Sequence, residues 1–429
     1  MSAVREIAEG AKRASRTLAS LTGEQRNEVL AVMAEALEKN ATAIYAANKE
    51  DVDTASVMLA SGEISDSTLE RLKLNSTKLE EMARSVRSVA ALADPIGRVL
   101  DRTQLDDGLI LERLSCPLGV LAVIFEARPD AVTQIAALAL KSGNAVIMKP
   151  GKEVELTAKV LVDVLRCALK ECGIAENAIS LVFGREAVQE LLALGDLVDL
   201  VIPRGSRQLV EHIQANTRIP VLGHAEGICH VYVDKAADFE MALKIVDDAK
   251  TDYPSACNAA ETVLVHEAIA REFLPEMAER LQAKNVRVRG CEKTQAILGI
   301  AVANVENWHH EYSDLELAIR VVKDVAEAID HIHRYGSSHT ETIVTNDAEV
   351  ATRFLNEVDS AGVYHNASTR FADGYRYGFG AEVGISTSKL HARGPVGLEG
   401  LTTYKYVLHG KGQVASDYRH GRTFQHKKL

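Results

Sequence analysis

Cys257 lies in a stretch whose residue types suit a presented nucleophile. The stretch, Tyr253-Pro-Ser-Ala-Cys-Asn-Ala-Ala-Glu261, follows an amphipathic run (239–252) and precedes a β-branched run (262–265), which predicts a connection between a helix and a strand. Its small residues leave the sulfur accessible, and Pro254 would end the helix. Free cysteines are also among the most buried residues, so an inert buried thiol is the alternative.

The elements that must position this thiol alternate along the chain. The N-terminal quarter predicts helices, and Asp106-Asp107-Gly108 between two alternating runs predicts a hairpin over 99–114. From residue 118 to 234, strands and helices alternate, which predicts a doubly wound parallel sheet with ligands at the carboxyl ends of its strands. A second α/β block follows Cys257. The predicted helices outside the first block are 25–39, 40–55, 68–92, 268–283, 324–335 and 348–358, and the predicted later strands are 262–266, 286–289, 342–345, 362–366 and 401–408.

Length and composition predict more than one domain. A chain of 429 residues with 47% hydrophobic content exceeds one ordinary core. We expect a nucleotide-binding domain over 1–252, a catalytic domain over 253–393, and a C-terminal oligomerisation strand and tail over 394–429. The fold class predicted is α/β, with the hairpin and the C-terminal strand as a small β element.

Charge, hydropathy and cysteine usage exclude several classes. A net charge of −11 argues against a nucleic-acid partner. The longest apolar runs, such as 120–125 and 136–140, are too short for a bilayer span, so no membrane partner is expected. The six cysteines form no CxxC pair, which predicts a reducing, cytoplasmic location. The histidines at 309–310 and 331–333 have no companion ligands at zinc spacing, so we predict no metal site.

Four further sequence blocks accompany the Cys257 stretch. With it they resemble the γ-glutamyl phosphate reductases, a family of the aldehyde dehydrogenase superfamily, over residues 5–415. The resemblance implies an aldehyde dehydrogenase-like fold. The blocks are Val201-Ile-Pro-Arg-Gly-Ser206, Ile219-Pro-Val-Leu-Gly-His-Ala-Glu-Gly-Ile-Cys-His230, Gly362-Val-Tyr-His-Asn-Ala-Ser-Thr-Arg-Phe-Ala-Asp373 and His391-Ala-Arg-Gly-Pro-Val-Gly-Leu398.

The resemblance implies a nicotinamide cofactor site, although the GxGxxG fingerprint is absent from the first strand-to-helix turn. It implies that Lys149, which closes a strand, binds the adenosine ribose, and that Glu311 binds the nicotinamide ribose. Arg204, Gly205 and Ser206 end a strand and open a helix, an arrangement that directs N–H groups at the pyrophosphate.

Lys152 predicts which cofactor is used. It stands where the NAD-preferring relatives have a glutamate that binds the ribose hydroxyls. An ammonium group attracts a 2′-phosphate, whereas a carboxylate repels it, so the sequence favours NADPH over NADH. The alternative is a solvated lysine at the start of a helix.

The reaction that the resemblance implies is the reduction of L-glutamyl 5-phosphate to L-glutamate 5-semialdehyde, the second step of proline biosynthesis, through a thioacyl intermediate on Cys257. The oxyanion would be bound by the Cys257 N–H, with Asn258. Ala127 and Gly223 stand where hydrolytic relatives have an oxyanion asparagine and a water-activating glutamate. The thioester would therefore persist until it is reduced.

The substrate carries a phosphate, a carboxylate and an ammonium group. Arg128, Arg370 and Arg393 are the candidate anion ligands, with Asn366 and Ser368 near the amino-acid end. Each arginine is equally suited to a salt bridge between loops. Expected partners are a second copy of the chain, as a dimer or tetramer, and glutamate 5-kinase as a separate chain. Alternative functions are an NAD(P)-dependent aldehyde dehydrogenase that oxidises a small aldehyde, and a catalytically inert structural homologue.

Overall fold

The computed structural model describes residues 2–223, 226–299, 302–419 and 421–429. The chain divides into two compact units. Unit 1 comprises the residues up to 222 with 379–384 and 396–429, and unit 2 comprises 223–378 with 385–395. In the described ranges, none of the helices has both the length and the apolar character needed to cross a bilayer.

Unit 1 begins with helices and a hairpin. The start of the second helix is fixed by a capping box, in which Thr22 and Gln25 bond reciprocally to each other's backbone N–H. The predicted hairpin is confirmed, with Gly108 in the left-handed region at its turn (φ +72°). The elements are α1 (Ala3–Leu18), α2 (Gly23–Lys39), α3 (Ala41–Ala60), α4 (Asp66–Leu72), α5 (Ser76–Ala91), β1 (Val99–Asp106) and β2 (Leu109–Pro117).

The single helix predicted over 68–92 is wrong, because the chain breaks between α4 and α5. The side chain of Asn48 in α3 donates to the Leu72 carbonyl at 2.8 Å and accepts the Leu74 N–H at 2.8 Å. These bonds satisfy backbone groups that a continuous helix would pair internally. Asn75 then caps the new helix through its side chain.

A four-stranded parallel sheet forms the centre of unit 1, in the order β5-β4-β3-β6. All residues of β3 are buried, as expected for a strand with helices on both faces. The carboxyl ends of β4, β3 and β6 are neighbours in this order. The elements are β3 (Val120–Phe125), α6 (Pro129–Lys141), β4 (Ala145–Lys149), α7 (Glu155–Glu171), β5 (Ile179–Leu181), α8 (Arg185–Leu192), β6 (Leu200–Arg204) and α9 (Arg207–Ala215).

Unit 2 contains a seven-stranded parallel sheet in the order β10-β9-β11-β8-β7-β12-β13 and a separate two-stranded sheet of β14 and β15. Its largest core cluster packs apolar residues of the central strands against α10 and α11. The elements are β7 (Cys229–Val233), α10 (Phe239–Thr251), β8 (Ala260–His266), α11 (Glu267–Ala283), β9 (Arg287–Gly290), α12 (Glu292–Leu298), β10 (Ala303–Asn304), β11 (Glu316–Val322), α13 (Val325–Tyr335), β12 (Thr340–Val344), α14 (Ala348–Glu357), β13 (Gly362–His365), β14 (Ile385–Ser386) and β15 (Gly394–Pro395).

Two features of unit 2 differ from the sequence expectation. Residues 223–252, assigned to the nucleotide-binding range, lie in unit 2, because β7 pairs with β8 and β12. Strand β11 was not predicted, since the charged Glu316 and Arg320 interrupt its apolar run. Glu316 is nevertheless accommodated within the sheet by ion pairs with Arg287 and Arg289 of the neighbouring strand.

The C-terminal residues of unit 1 complete an antiparallel sheet with the hairpin. The added strands are β16 (Thr402–His409) and β17 (Lys427–Lys428), and the order is β16-β2-β1-β17. Both strands of the hairpin, β1 and β2, are therefore paired on both sides. Strand β16 is one of the two edges of this sheet, and it exposes Tyr404, Tyr406 and Leu408.

Candidate active site

The Cys257 loop connects α10 to β8, as predicted, and Cys257 itself is partly exposed. At the base of the loop, the Lys250 ammonium lies 3.0 Å from a carboxylate oxygen of Glu261, with 0% and 1% of the two side chains exposed. Burial raises the pKa of Glu261 to about 7, and the neighbouring Lys250 opposes that rise. The two ends of the loop are thus joined by a buried ion pair.

A second set of contacts fixes the start of the same loop. Asp252 accepts hydrogen bonds from Arg376 at 3.0 Å and from Arg370 at 3.1 Å. The hydrogen bond from Arg376 contributes most to holding the pKa of Asp252 below its usual range. The hydrogen bond from Arg370 acts in the same direction. The Arg370 guanidinium also lies 5.8 Å from the centre of the Tyr253 ring. Arg370, one of the candidate anion ligands, is therefore buried, and its ion pair connects its own loop to the start of the Cys257 loop.

The backbone of Cys257 is held from its inner side by the segment that leads into β7. The Cys229 thiol donates to the Cys257 carbonyl at 3.3 Å, and burial holds its pKa well above the usual value. A side-chain carbon at position 227 would lie 2.5 Å from the Cys257 Cα, a separation that real side chains do not reach. Only a glycine at 227 therefore permits this approach.

Glu311 reaches the same segment. Burial raises the pKa of Glu311, with a smaller contribution from Glu226, whereas the nearby Gly227 N–H and Ser313 side chain lower it. Since Gly227 is packed on Cys257, the structure brings Glu311 and Cys257 into one site. The sequence predicted a role for each of these two residues but gave no indication that they lie close together.

Asn258, expected to help bind the oxyanion, makes a hydrogen bond within the fold through its side-chain amide. Its side-chain amide donates to the Ala372 carbonyl at 2.9 Å, and 4% of the residue is exposed. One of its two N–H groups is thus used within the fold. The Oδ1 atom is buried and has no hydrogen-bond partner in the ranges that the structure describes.

Asn366, Ser368 and Arg393 likewise have partners within unit 2. Asn366, in the left-handed region (φ +55°), accepts from the Thr345 N–H and donates to the Thr345 carbonyl, both at 3.0 Å. The Ser368 hydroxyl accepts the N–H of Arg370 at 3.2 Å. Arg393 lies 2.9 Å from a carboxylate oxygen of Asp359, which also pairs with Lys389. These contacts shape the loops around the site.

In unit 1, the carboxyl edge of the parallel sheet collects the residues expected to bind the cofactor. Lys149 ends β4 and is half-buried, and its ammonium makes no ion pair within the described ranges. Arg204 ends β6, and Ser206 caps α9 by accepting the Leu209 N–H at 3.4 Å. The sequence therefore correctly predicted that Lys149 and Arg204 lie at strand ends and that Ser206 lies at the start of a helix.

The helix start at Ser206 already holds an anion. The Glu126 carboxylate accepts the Ser206 N–H at 3.2 Å. A side-chain carbon at Gly205 would lie 2.6 Å from the same carboxylate oxygen, so glycine allows this close approach. Helix N-termini favour negative groups, and Glu126 shows that this one accepts an oxyanion.

Lys152 and Arg128 both have carboxylate neighbours. The Lys152 ammonium lies 2.6 Å from Glu63, with 66% and 52% of the side chains exposed, and this hydrogen bond lowers the pKa of Glu63. Arg128 lies 2.6 Å from Asp130. Any anion that binds Lys152 must compete with Glu63.

Several residues of the site were not identified from the sequence. They are Gly227, Lys250, Glu261 and Glu126. A signal was present for two of them. Lys250 occupies the buried stripe of α10, and Glu261 follows Ala260 in a strand of otherwise apolar or β-branched residues. Charges at buried positions indicate a pair, but the sequence does not say with which partner.

Comparison with known proteins agrees with this geometry. The aldehyde dehydrogenase family model matches residues 1–307. The γ-glutamyl phosphate reductase of a Cyanothece species is 54% identical over 426 residues, with 99% of this chain and 98% of that protein covered. γ-Glutamyl phosphate reductase 1 of a Synechocystis species is 50% identical over 431 residues, with 100% and 99% covered.

A solved structure shares the fold. The crystal structure of the γ-glutamyl phosphate reductase of Thermotoga maritima matches with a TM-score of 0.93 at 41% identity, covering 96% of this chain and 100% of that chain. Parallel sheets and a cysteine on a helix-to-strand loop agree with the family match, and the chain belongs to the aldehyde dehydrogenase family. Within it, the similarity along the whole length groups the chain with the γ-glutamyl phosphate reductases.

The packing of Gly227 on Cys257 generates a prediction. Gly227→Ala should lower kcat about a hundredfold, since a displacement of about 1 Å at a reacting group has effects of that size, and should destabilise the fold by about 1–3 kcal/mol. Steady-state kinetics and thermal unfolding measure both. Gly195→Ala is the matched control, because its added carbon would meet only Ile219, at 3.6 Å. Wild-type kinetics in Gly227→Ala would contradict the close packing.

Proposed function

We propose that this protein catalyses the NADPH-dependent reduction of L-glutamyl 5-phosphate to L-glutamate 5-semialdehyde and phosphate, in proline biosynthesis. The observation that carries the proposal is Cys257, partly exposed on a loop that ion pairs fix at both ends, in a chain of this family. The loop geometry supports a presented thiol over the alternative of an inert buried one. The substrate is inferred from the names of the full-length relatives.

The chemistry assigned to the chain's own residues is covalent. The Cys257 thiolate attacks the γ-carbonyl carbon, a C–S bond forms, and the C–O bond to phosphate breaks with its electron pair on the phosphate oxygen. The Cys257 N–H is the oxyanion donor in this scheme. NADPH, when bound, supplies the hydride that reduces the thioester. The hemithioacetal is thereby formed as an oxyanion, and as its C=O bond re-forms the C–S bond breaks to release the aldehyde and the Cys257 thiolate.

The cofactor ligands are assigned residue by residue from the family resemblance. The aldehyde dehydrogenase family uses NAD or NADP. The observation that tests the fit is the Ser206 N–H, which already donates to the Glu126 carboxylate where a phosphate would bind. With Lys149 and Arg204 beside it, this edge of unit 1 suits a dinucleotide. We assign Lys149 to the adenosine ribose, Arg204, Gly205 and Ser206 to the pyrophosphate, and Glu311 to the nicotinamide ribose.

The substrate ligands are assigned less directly. Arg128 and Arg393 are proposed for the phosphate and the α-carboxylate, and each would exchange its present carboxylate partner for the substrate. Arg370 is better suited to holding the loop, because it is buried against Asp252. Asn366 and Ser368 would contribute through the shape of their loop, with Asn258 close to Cys257. The proposed compartment is the cytoplasm, since all six cysteines are free thiols.

The proposed nucleophile is tested by Cys257→Ala and Cys257→Ser. Loss of a covalent nucleophile normally costs several orders of magnitude in rate. We expect less than about 1% of phosphate-dependent NADP reduction with glutamate semialdehyde, which is the reverse reaction, and unchanged cofactor affinity. Substantial residual activity would remove Cys257 from the mechanism. Oxidation of the semialdehyde by the wild type without phosphate would instead favour an ordinary aldehyde dehydrogenase.

The cofactor preference is tested at Lys152 and its partner. Lys152→Glu should lower kcat/KM for NADPH relative to NADH about five- to a hundredfold, because an ammonium is replaced by a charge that repels the 2′-phosphate. Glu63→Gln should raise NADPH affinity up to about fivefold, since it frees Lys152 from a surface ion pair. Parallel titrations with both cofactors measure the two effects. Equal changes in kcat/KM for NADPH and NADH would mean that a residue other than Lys152 determines the cofactor preference.

The expected homo-oligomer is tested at the edge of β16. This strand has an unpaired backbone edge within the described chain and exposed aromatic residues, a combination that favours strand pairing with a second copy. We expect a dimer or tetramer by sedimentation at micromolar concentration. Tyr406→Lys should shift it toward monomer, whereas Lys411→Glu, beyond the strand, should not. A wild-type monomer would refute the proposal. Co-sedimentation with glutamate 5-kinase tests that partner.

A further inference from the structure

The buried Lys250–Glu261 ion pair has a second set of contacts beyond the base of the Cys257 loop. The Glu261 oxygen that binds Lys250 also accepts the Tyr312 N–H at 3.3 Å, and the other oxygen accepts the Ser313 N–H at 3.3 Å. Glu261 therefore joins β8 to the segment 311–313. Both partners are removed from water, and the desolvation cost of such a pair commonly matches its attraction, so stability alone does not explain it.

The segment that Glu261 binds has a backbone that needs support. Ser313 has φ +52°, the left-handed region that residues other than glycine seldom adopt. Its N–H donates to Glu261, and its side chain lies close enough to the Glu311 carboxylate to lower the pKa of that group. The conformation that directs Glu311 thus depends on an acceptor at position 261.

The contacts form a closed ring. The Glu311 carboxylate also lies near the N–H of Gly227, and Gly227 lies against Cys257. Glu261 follows Cys257 by four residues, so the chain itself returns to the starting point. The position of the Glu311 carboxylate relative to Cys257 is consequently set from two sides, by Gly227 and by Glu261.

We propose that Glu261, held by Lys250, is a positioning residue that fixes the Glu311 carboxylate relative to Cys257 and thereby prepares the site for the nicotinamide ribose. The inference rests on the proposed function in one respect, the assignment of Glu311 to that ribose. Glu261 contacts neither substrate nor cofactor in this proposal. It acts through the backbone of residues 312 and 313.

The decisive variant removes both charges together. Lys250→Met with Glu261→Leu leaves no uncompensated buried charge, so the fold is expected to persist, with a melting temperature within a few degrees of the wild type. The two backbone N–H groups lose their acceptor. Lys284→Met is the matched control, because it removes a lysine that pairs with Asp247 of α10 at the surface.

The first readout needs no cofactor. In the double variant, amide hydrogen exchange at residues 312 and 313 should accelerate at least about tenfold, and in Lys284→Met it should match the wild type. The second readout is NADPH binding by fluorescence, which should weaken about tenfold or more. In a Glu311→Gln background, the double change should add less than about twofold, because Glu261 acts through Glu311.

Three results would overturn the inference. They are unchanged amide exchange in the folded double variant, unchanged NADPH affinity, and a full additional loss in the Glu311→Gln background. Should the double variant fail to fold, Lys250→Met with Glu261→Gln keeps the volume and one acceptor oxygen, and it must show the same effects in reduced size. Failure of the wild type to reduce NADP with semialdehyde and phosphate would overturn the proposed function alone, since exchange and binding need no turnover.

Discussion

The ion pair between Lys250 and Glu261 is an interaction on which the geometry of the Cys257 loop depends. It joins the last turn of α10 to the second residue of β8, across the loop that presents Cys257. Two opposite charges in a low-dielectric interior interact strongly and tolerate little displacement, since either charge without its partner would be costly. The loop is therefore free to expose its sulfur while its ends stay fixed. Asp252, paired with Arg370 and Arg376, gives the first of these ends a second attachment.

Elements with a strong local pattern could be predicted from the sequence. The Asp106-Asp107-Gly108 turn identified the hairpin, and apolar runs between glycines and helices identified the parallel strands up to β6. Failures occurred where a distant contact decides the structure. Asn48, outside that segment, breaks the helix predicted over 68–92, and the local signal for the break is the N-cap residue Asn75. Strand β11 contains Glu316, whose charge is acceptable only because arginines lie beside it.

The candidate site shows the same difference between features set by local sequence, which could be predicted, and features set by distant contacts, which could not. Cys257 and its loop were predictable, because residue size, proline and the flanking periodicities all act locally. The arginines were predictable only as cations near loops. Their carboxylate partners, such as Asp252 for Arg370 and Asp359 for Arg393, are far away in sequence, and side-chain pairing of that kind has no periodicity to reveal it. Gly227 was missed because a glycine is recognisable as necessary only once the backbone opposite it is known.

The carboxylate of Glu126 at the start of α9 affects how any anion enters and leaves that position. Because the Ser206 N–H is already occupied, an arriving phosphate substitutes for an internal ligand instead of filling a vacancy, and its observed affinity is reduced by the fraction of time that Glu126 is bound. Glu126 can take back the N–H as the phosphate leaves, so the N–H keeps an acceptor throughout. The exchange is an intramolecular ligand substitution, and its consequence is a lower affinity for the external anion.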